Sequence, residues 1–136
     1  MQLLLHRFSD QGSVYIVPLN FGYERIGDEQ ILYFHGAREG RKVELAKSSP
    51  NVSFEMDTNY QLRSGSAACS YTNTYRSVIG TGVLQIVTDE EKKSHALKTI
   101  MEKATGKTEW EFNENALNSV CVFSLKVQSL SCKERK

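Results

Sequence analysis

The sequence has few cysteines, no excess of charge of either sign and no long apolar run. Its three cysteines, Cys69, Cys121 and Cys132, are an odd number at wide spacing, which argues against a disulfide framework and against the close pairs of a zinc site. Seventeen Lys and Arg residues balance sixteen Asp and Glu residues, so no global field directs the chain to nucleic acid or to an anionic membrane. The apolar start, residues 1–5, is too short for a signal peptide or a membrane anchor. We therefore expect a cytoplasmic protein with reduced thiols.

Length and composition are those of a single domain covering residues 1–136. With 40% hydrophobic residues, a chain of 136 residues can bury a continuous core. Runs of β-branched and aromatic residues and alternating apolar positions predict strands, and patterns of longer period predict two helices. The predicted strands cover residues 2–8, 13–23, 30–35, 51–57, 75–87 and 120–130, and the predicted helices cover residues 39–47 and 88–104.

Residues that favour turns divide the early strands. Polar residues 9–12 predict one hairpin turn and Gly27-Asp28 predicts another, so we expect the first three strands to form an antiparallel meander. Pro18 interrupts the second strand and cannot donate a ladder hydrogen bond, which indicates a sheet edge or a bulge. Gly80 and Gly82 lie inside the longest strand and predict a bend or bulge at a barrel corner.

The second half of the chain contains a predicted loop and a capped helix. Residues 58–74 include many small polar residues, which predict a long loop or lid. Thr88 is the expected N-cap of the second helix, Glu91 completes a capping-box spacing, and Gly106 is expected to end the helix. Sequentially connected strands with inserted helices and a late closing strand predict a mainly β fold, a small barrel rather than an α/β layer.

The junction at residues 35–42, where a strand ends and a helix begins, carries the clearest chemical signal. It contains two glycines and three cations, namely Gly36, Gly40, Arg38, Arg41 and Lys42. Backbone N–H groups and the helix dipole favour an anion at a helix start, and Arg41 and Lys42 in the first turn can neutralise a phosphate. The alternative is an ordinary solvated basic face, which local chemistry alone favours.

Two further segments place polar features in apolar strands. In residues 17–22, Pro18 leaves neighbouring backbone groups without a cross-strand partner, and those groups could bind the edge of a flat heterocycle. A bulge at a sheet edge explains Pro18 equally well. In residues 75–80, Arg76 and Ser77 offer a cation and a hydroxyl, and alternation alone would place Arg76 on the outer face.

In combination, four segments resemble the Nim-like (5-nitroimidazole antibiotic resistance) branch of the pyridoxamine 5'-phosphate oxidase-like FMN-binding split β-barrels. They read V-P-L-N-F-G-Y-E, Y-F-H-G-A-R-E-G-R-K, F-E-M-D and Y-R-S-V-I-G-T-G, and their order and spacing agree over residues 15–130. The resemblance implies a six-stranded, antiparallel, Greek-key-like barrel with two or three helices, and a homodimer with FMN at the subunit interface. Family members usually carry a short helix before the first strand, which has no counterpart here, so we expect a truncated form.

The resemblance also implies which residues hold FMN, in four groups that meet the ring, its underside, the phosphate and the opposite side of the cofactor. They are Pro18, Leu19 and Asn20 along the ring; Phe34, His35 and Gly36 beneath it; Gly40, Arg41 and Lys42 at the phosphate; and Tyr75, Arg76 and Ser77 on the adjoining strand or from the partner subunit.

The implied activity is that of a flavoprotein oxidoreductase in which FMN takes electrons from NAD(P)H and passes them to a small acceptor such as a nitroaromatic. No G-x-G-x-x-G follows a strand, so NAD(P)H would bind transiently over the flavin. The sequence offers no catalytic triad, no paired-carboxylate site and no metal site, and His35 alone is open to a catalytic role, as a proton relay or as an iron ligand in a related haem site. A histidine at a strand end more often bonds a neighbouring loop. The alternative function is non-catalytic binding of FMN or haem for storage or sensing.

Overall fold

The computed structural model describes residues 3–10, 13–48 and 51–136. The first hairpin turn, predicted at residues 9–12, falls partly outside these ranges. Within them, seven strands form one antiparallel sheet in the order β2-β1-β5-β6-β7-β4-β3. The strands are β1 (Leu3–Asp10), β2 (Ser13–Leu19), β3 (Gly22–Ile26), β4 (Glu29–Ala37), β5 (Asn51–Arg63), β6 (Thr72–Val87) and β7 (Val120–Arg135), and the helices are α1 (Arg41–Ser48), α2 (Glu90–Thr105) and α3 (Glu114–Asn118).

The predicted mainly β barrel is confirmed, but the second predicted strand is two strands. β2 pairs with β1 at one edge of the sheet, whereas β3 pairs with β4 at the other edge, so the expected three-stranded meander is wrong. Leu19 and Phe21 are both buried in the core on either side of the exposed Asn20. The chain therefore crosses from one sheet edge to the other at this point. Pro18 lies in the edge strand, as one of its two interpretations predicted.

The predicted loop or lid at residues 58–74 is also wrong, because most of it is a strand hairpin. β5 continues to Arg63 and β6 begins at Thr72, and these two residues pair with each other. The residues between them include a single 3-10 turn, Ala68–Ser70. β7 runs beside β6 as far as Arg135, so a third strand supports this extension. The polar composition of residues 58–74 was misleading because this hairpin lies in water and needs no buried apolar face. Even its side chains Tyr60 and Leu62 are 63% and 66% exposed.

The inside of the barrel is filled by large apolar side chains from nearly every strand. Phe34, Phe54 and Phe123 are at most 2% exposed, and Val43 and Ala46 of α1 join the same core. A Cβ atom at Gly80 would lie 2.7 Å from the Ser129 carbonyl oxygen and press on the Phe54 ring, so only glycine fits there. The β6–β7 register shifts between Thr81 and Gly82, and the extra residue there, Gln128, lies in β7 opposite the glycines and not in the strand where the bend or bulge was predicted.

Helix α2 covers part of the outer surface of the sheet. Its buried residues Ala96, Leu97 and Ile100 pack with Tyr33 and Val122 in a second core. Asp89, not Thr88, is the N-cap, since its side chain accepts a hydrogen bond from the Lys92 backbone N–H and its own backbone is extended. The predicted N-cap is therefore wrong by one residue, and the capping box predicted between Thr88 and Glu91 is wrong with it. The helix ends at Gly106, as predicted.

No helix in the described ranges is both long and apolar enough to cross a membrane. None of the three cysteines forms a disulfide bond.

Candidate cofactor site

The outward side of strands β2, β1, β5 and β6 presents a surface that we call the open sheet face, defined by the outward positions Ile16, Pro18, Glu55, Asp57, Ser77 and Ile79. Alternation along β5 and β6 directs their neighbours into the core, where Phe54 is buried and Met56 and Val78 pack against it. Ile16 is 53% and Ile79 is 57% exposed. The open sheet face is therefore an accessible surface that includes two large aliphatic side chains.

Cross-strand pairing aligns the first candidate residue with this face. Pro18 pairs with Leu4, Leu4 with Glu55, and Glu55 with Ile79. One row across four strands thus joins Pro18 to Ile79, over roughly 14 Å at the usual strand spacing. Asp57 pairs with Ser77 in a row two residues further along. Pro18 and Ser77 therefore lie on one surface, on strands at its two sides, although 59 positions separate them in the sequence.

The connection between the two sheet edges brings Asn20 towards His35. Gly22 pairs with Tyr33 in the antiparallel β3–β4 ladder. Asn20 lies two residues before Gly22 and His35 two residues after Tyr33, so both lie at the same end of this strand pair. Both of these residues are exposed. Phe34, which precedes His35 in β4, is only 1% exposed and points into the core. Any contribution of Phe34 to a site on the outer surface is thus limited to its backbone.

The junction between β4 and α1 follows His35 directly. Gly36 is the second-last residue of β4, and α1 begins at Arg41, directly after Gly40 and two residues later than the predicted start at residue 39. Gly40 has a φ of 140°, which side chains disfavour, and its carbonyl oxygen accepts a hydrogen bond from the Glu44 backbone N–H. The side chains of Arg41 and Lys42 lie outside the described residues. Their predicted contact with a phosphate stays a prediction.

The three candidates on β6 lie on two different faces. Ser77 is on the open sheet face, and Tyr75, on the same side, lies beside Tyr60 with 6.3 Å between the ring centroids. Arg76 points to the opposite side, where its Nε donates to Glu134 Oε1 over 2.8 Å in an exposed ion pair. Arg76 is therefore already paired and is turned away from Ser77. It lies on the same side of β6 as Val78, so the predicted placement on the outer face is wrong, although the side chain is exposed.

A pair of carboxyl groups on the open sheet face was missed as a functional feature. Burial, a hydrogen bond with Asp57 and the negative charge of Asp57 raise the pKa of Glu55 to about 7. The alternating sequence correctly placed Glu55 and Asp57 on the same side of a strand. Their shared proton depends on how far each group is removed from water, which the sequence pattern does not contain. The pair adds a group that titrates near neutrality between Pro18 and Ser77.

Metal ligands are not grouped in the described part of the chain, where no three His, Cys, Asp or Glu side chains come close enough to hold an ion. Two aromatic residues outside the strands are Trp110, which donates its indole N–H to the Lys107 carbonyl oxygen over 2.9 Å, and Tyr71, which is 50% exposed.

Comparison with known proteins identifies the family. The family model described as pyridoxamine 5'-phosphate oxidase matches residues 8–134. A protein from Bacteroides thetaiotaomicron VPI-5482, described as a candidate 5-nitroimidazole antibiotic resistance protein, is 28% identical, with a TM-score of 0.81 over 96% of this chain and 75% of that one.

Two further solved structures share the fold at lower identity. The flavocytochrome Anf3 from Azotobacter vinelandii is 20% identical, with a TM-score of 0.78 over 99% of this chain and 62% of that one. The FAD and heme binding protein from Mycobacterium smegmatis is 14% identical, with a TM-score of 0.82 over 99% and 65%. The present chain thus spans less than two thirds of either protein. No curated protein matches the sequence. The chain belongs to the pyridoxamine 5'-phosphate oxidase family, has its split-barrel fold, and resembles the nitroimidazole-resistance branch of that family.

Proposed function

We propose that this protein binds FMN and acts as an NAD(P)H-dependent oxidoreductase on small acceptors such as nitroaromatics. The observation that carries the proposal is that a split barrel of this family leaves Pro18, Asn20 and His35 exposed and begins α1 six residues after His35. A flat heterocycle and a phosphate can be held by adjacent groups at such a place.

The start of α1 supplies the phosphate end of the proposed site. The first N–H groups of a helix have no partner within the helix, and the dipole of the helix favours an anion beside them. Gly40 leaves the approach to these groups without a side chain. Arg41 and Lys42 add two positive charges in the first turn, which match the dianionic phosphate of FMN better than the uncharged ribityl end of riboflavin.

Pro18 and Asn20 supply the proposed contact with the flavin ring. Proline has no backbone N–H, and it lies in an edge strand with its side chain exposed. Neighbouring backbone groups of β2 and the Asn20 side chain can therefore meet the polar edge of a ring without first losing a strand partner. The bound flavin would supply the electron-transfer chemistry, and the chain would position it.

A second copy of the chain completes the site in our proposal. The open sheet face leaves Ile16 and Ile79 more than half exposed, at 53% and 57%, and burying such side chains favours association. A cofactor on this face would be covered by the partner subunit. Transient binding of NAD(P)H fits this arrangement, because the sequence has no dinucleotide-binding fingerprint of its own.

Glu55 is the proposed proton donor on this face. Its carboxyl group shares a proton with Asp57 and has a pKa of about 7, so it can both hold and release a proton at neutral pH. Reduction of a nitro group by two electrons consumes two protons and releases water. A proton reservoir beside the cofactor serves that reaction, with NAD(P)H as the electron source.

Haem binding is the second candidate, and exposed His35 is the observation that favours it. An imidazole that is accessible at a strand end can ligate iron. The flavocytochrome and the haem-binding protein named above share the fold only, so they do not assign haem to this chain. A Soret band in the purified protein that disappears in His35→Ala would replace the flavin proposal.

The experiment that tests the proposal is a titration of FMN, FAD and riboflavin into the apoprotein, followed by stopped-flow mixing with NADH and NADPH. We expect FMN to bind most tightly and NAD(P)H to bleach it, with reoxidation by a nitroaromatic. A flavin that only dithionite reduces would support the storage function instead.

Lys42→Ala tests the phosphate contact, with Lys47→Ala in the last turn of the same helix as the matched control. Hydrogen bonds to charged groups are worth roughly 1.5–3 kcal/mol, so loss of Lys42 should weaken FMN binding by about 10- to 100-fold. Riboflavin binding should not change. Equal losses for FMN and riboflavin would assign Lys42 to the ring pocket or the fold, and no loss for either would remove the helix start from the site.

A further inference from the structure

A cavity lies on the outer surface of the barrel, between β3, β4, β7, the end of β6 and the start of α2. Its volume is about 670 Å³, within the range of roughly 300–1,000 Å³ that small-molecule sites occupy. None of the residues assigned to the flavin lines it. Its apolar lining consists of Ile26, Ile31, Ile86 and Val87.

A network of three side chains holds one carboxylate in this cavity. Tyr33 donates its hydroxyl to Glu24 Oε2 over 2.7 Å, and His95 Nε2 lies 2.7 Å from the same oxygen. The Tyr33 and His95 rings meet edge to face, with 6.2 Å between their centroids. Among the described residues, the other oxygen of Glu24, Oε1, has no hydrogen-bond partner. Glu24 is thus fixed through one oxygen, and it is one of the residues that line the cavity.

The network also keeps Glu24 ionised. Burial by itself would raise the pKa of this carboxyl group, but the hydrogen bonds from Tyr33 and His95 and the charge of His95 outweigh it and lower the pKa below its usual value of 4.5. At neutral pH the group is therefore a carboxylate that accepts hydrogen bonds and attracts a cation.

The charges around the cavity favour the same kind of ligand. Carboxyl groups outnumber ammonium groups among the lining residues. The carboxyl groups belong to Glu24, Glu29, Asp89 and Glu91, and the ammonium groups belong to Lys92 and Lys126. Lys126 Nζ is engaged by Glu29 Oε1 at 2.7 Å. Asp89 Oδ2 caps α2 by accepting a hydrogen bond from the Lys92 backbone N–H, and its negative charge is balanced there by the positive end of the helix dipole. Apart from His95, which bonds Glu24, the charged side chains that remain are Glu24, Glu91 and Lys92, an excess of one negative charge.

We propose that this cavity binds a small organic cation, a primary ammonium with an apolar body, with Glu24 as its counter-ion. The ammonium donates to Glu24 Oε1, and the apolar body lies over the isoleucine and valine side chains. The site needs no flavin and is independent of the function proposed above.

Three probes that share one apolar body test the proposal on the full-length chain: 4-phenylbutylamine, 4-phenylbutan-1-ol and 4-phenylbutanoate. Backbone amide shifts are followed by NMR at pH 7.5, with and without FMN. We expect the amine to shift signals around the cavity and to bind about 10-fold more tightly than the alcohol, because a charge-assisted hydrogen bond replaces a neutral one. The carboxylate should bind most weakly, and FMN should leave the amine affinity unchanged.

Glu24→Gln should abolish the preference for the amine over the alcohol, because the amide keeps an acceptor for Tyr33 and loses only the charge. Glu134→Gln removes an exposed carboxylate elsewhere and should leave the preference intact. Equal affinities of amine and alcohol in the unaltered protein, tighter binding of the carboxylate, or shifts confined to the open sheet face would each overturn the proposal without recourse to a variant.

Discussion

Replacing Glu55 by Gln should change how the stability of this protein depends on pH. In the folded chain the pKa of Glu55 is raised from 4.5 to about 7 by burial, by the hydrogen bond with Asp57 and by the charge of Asp57. The folded protein therefore holds a proton that the unfolded chain releases between these two pH values. Stabilisation from this proton is fully present below pH 4.5 and is lost as the pH rises through 7.

The size of the effect follows from the same two values. A wholly desolvated carboxyl group with this difference in pKa would lose roughly 3 kcal/mol of stability between pH 4.5 and neutrality. Glu55 lies on an open strand face in contact with water, where solvent screening reduces charge interactions to about 1 kcal/mol or less. We therefore expect Glu55→Gln to match the unaltered protein near pH 4.5 and to exceed its stability by about 1 kcal/mol at pH 8.

Urea unfolding at one protein concentration and at half-unit steps from pH 4.5 to 8 measures this directly. Glu134→Gln is the control, because the hydrogen bond from Arg76 lowers the pKa of Glu134. Its stabilisation is present above the usual pKa and is lost only in acid, so that variant should keep the decline between pH 4.5 and 7. Parallel profiles for Glu55→Gln and the unaltered protein would show that Glu55 and Asp57 do not share a proton.

Three further predictions concern the fold and the open sheet face. Gly80→Ala should lower the free energy of unfolding by about 1–3 kcal/mol in urea, because its Cβ atom would displace the Phe54 ring; an unchanged midpoint would contradict the close approach. Asp89→Ala should cost about 1 kcal/mol through loss of the α2 cap, while Thr88→Ala should cost little, and the reverse order in thermal unfolding would restore Thr88 as the cap. Ile79→Lys should convert a dimer to a monomer in light scattering and weaken flavin binding with it, and a dimeric variant would place the interface elsewhere.

Local chemistry was a reliable guide where it acts within a few residues. Gly106 ends α2 and Gly27-Asp28 turns β3 into β4, as their conformational preferences predicted. Alternation placed Phe54 and Met56 inside the barrel and Glu55 and Asp57 outside it. These features depend on backbone preference and on the period of side chains along one strand, both of which the sequence contains.

What the sequence by itself determined is most of the local elements, the inward and outward positions along β5, and a helix after the glycines that follow β4. The tertiary structure alone decided that residues 13–23 divide between two sheet edges, that the polar residues after Asp57 continue as a hairpin beside β7, and that Glu24 joins Tyr33 and His95 in the cavity beside α2. The physical reason is that ladder hydrogen bonds and pKa shifts depend on partners distant in sequence and on the depth of burial, and neither is set until the barrel has closed.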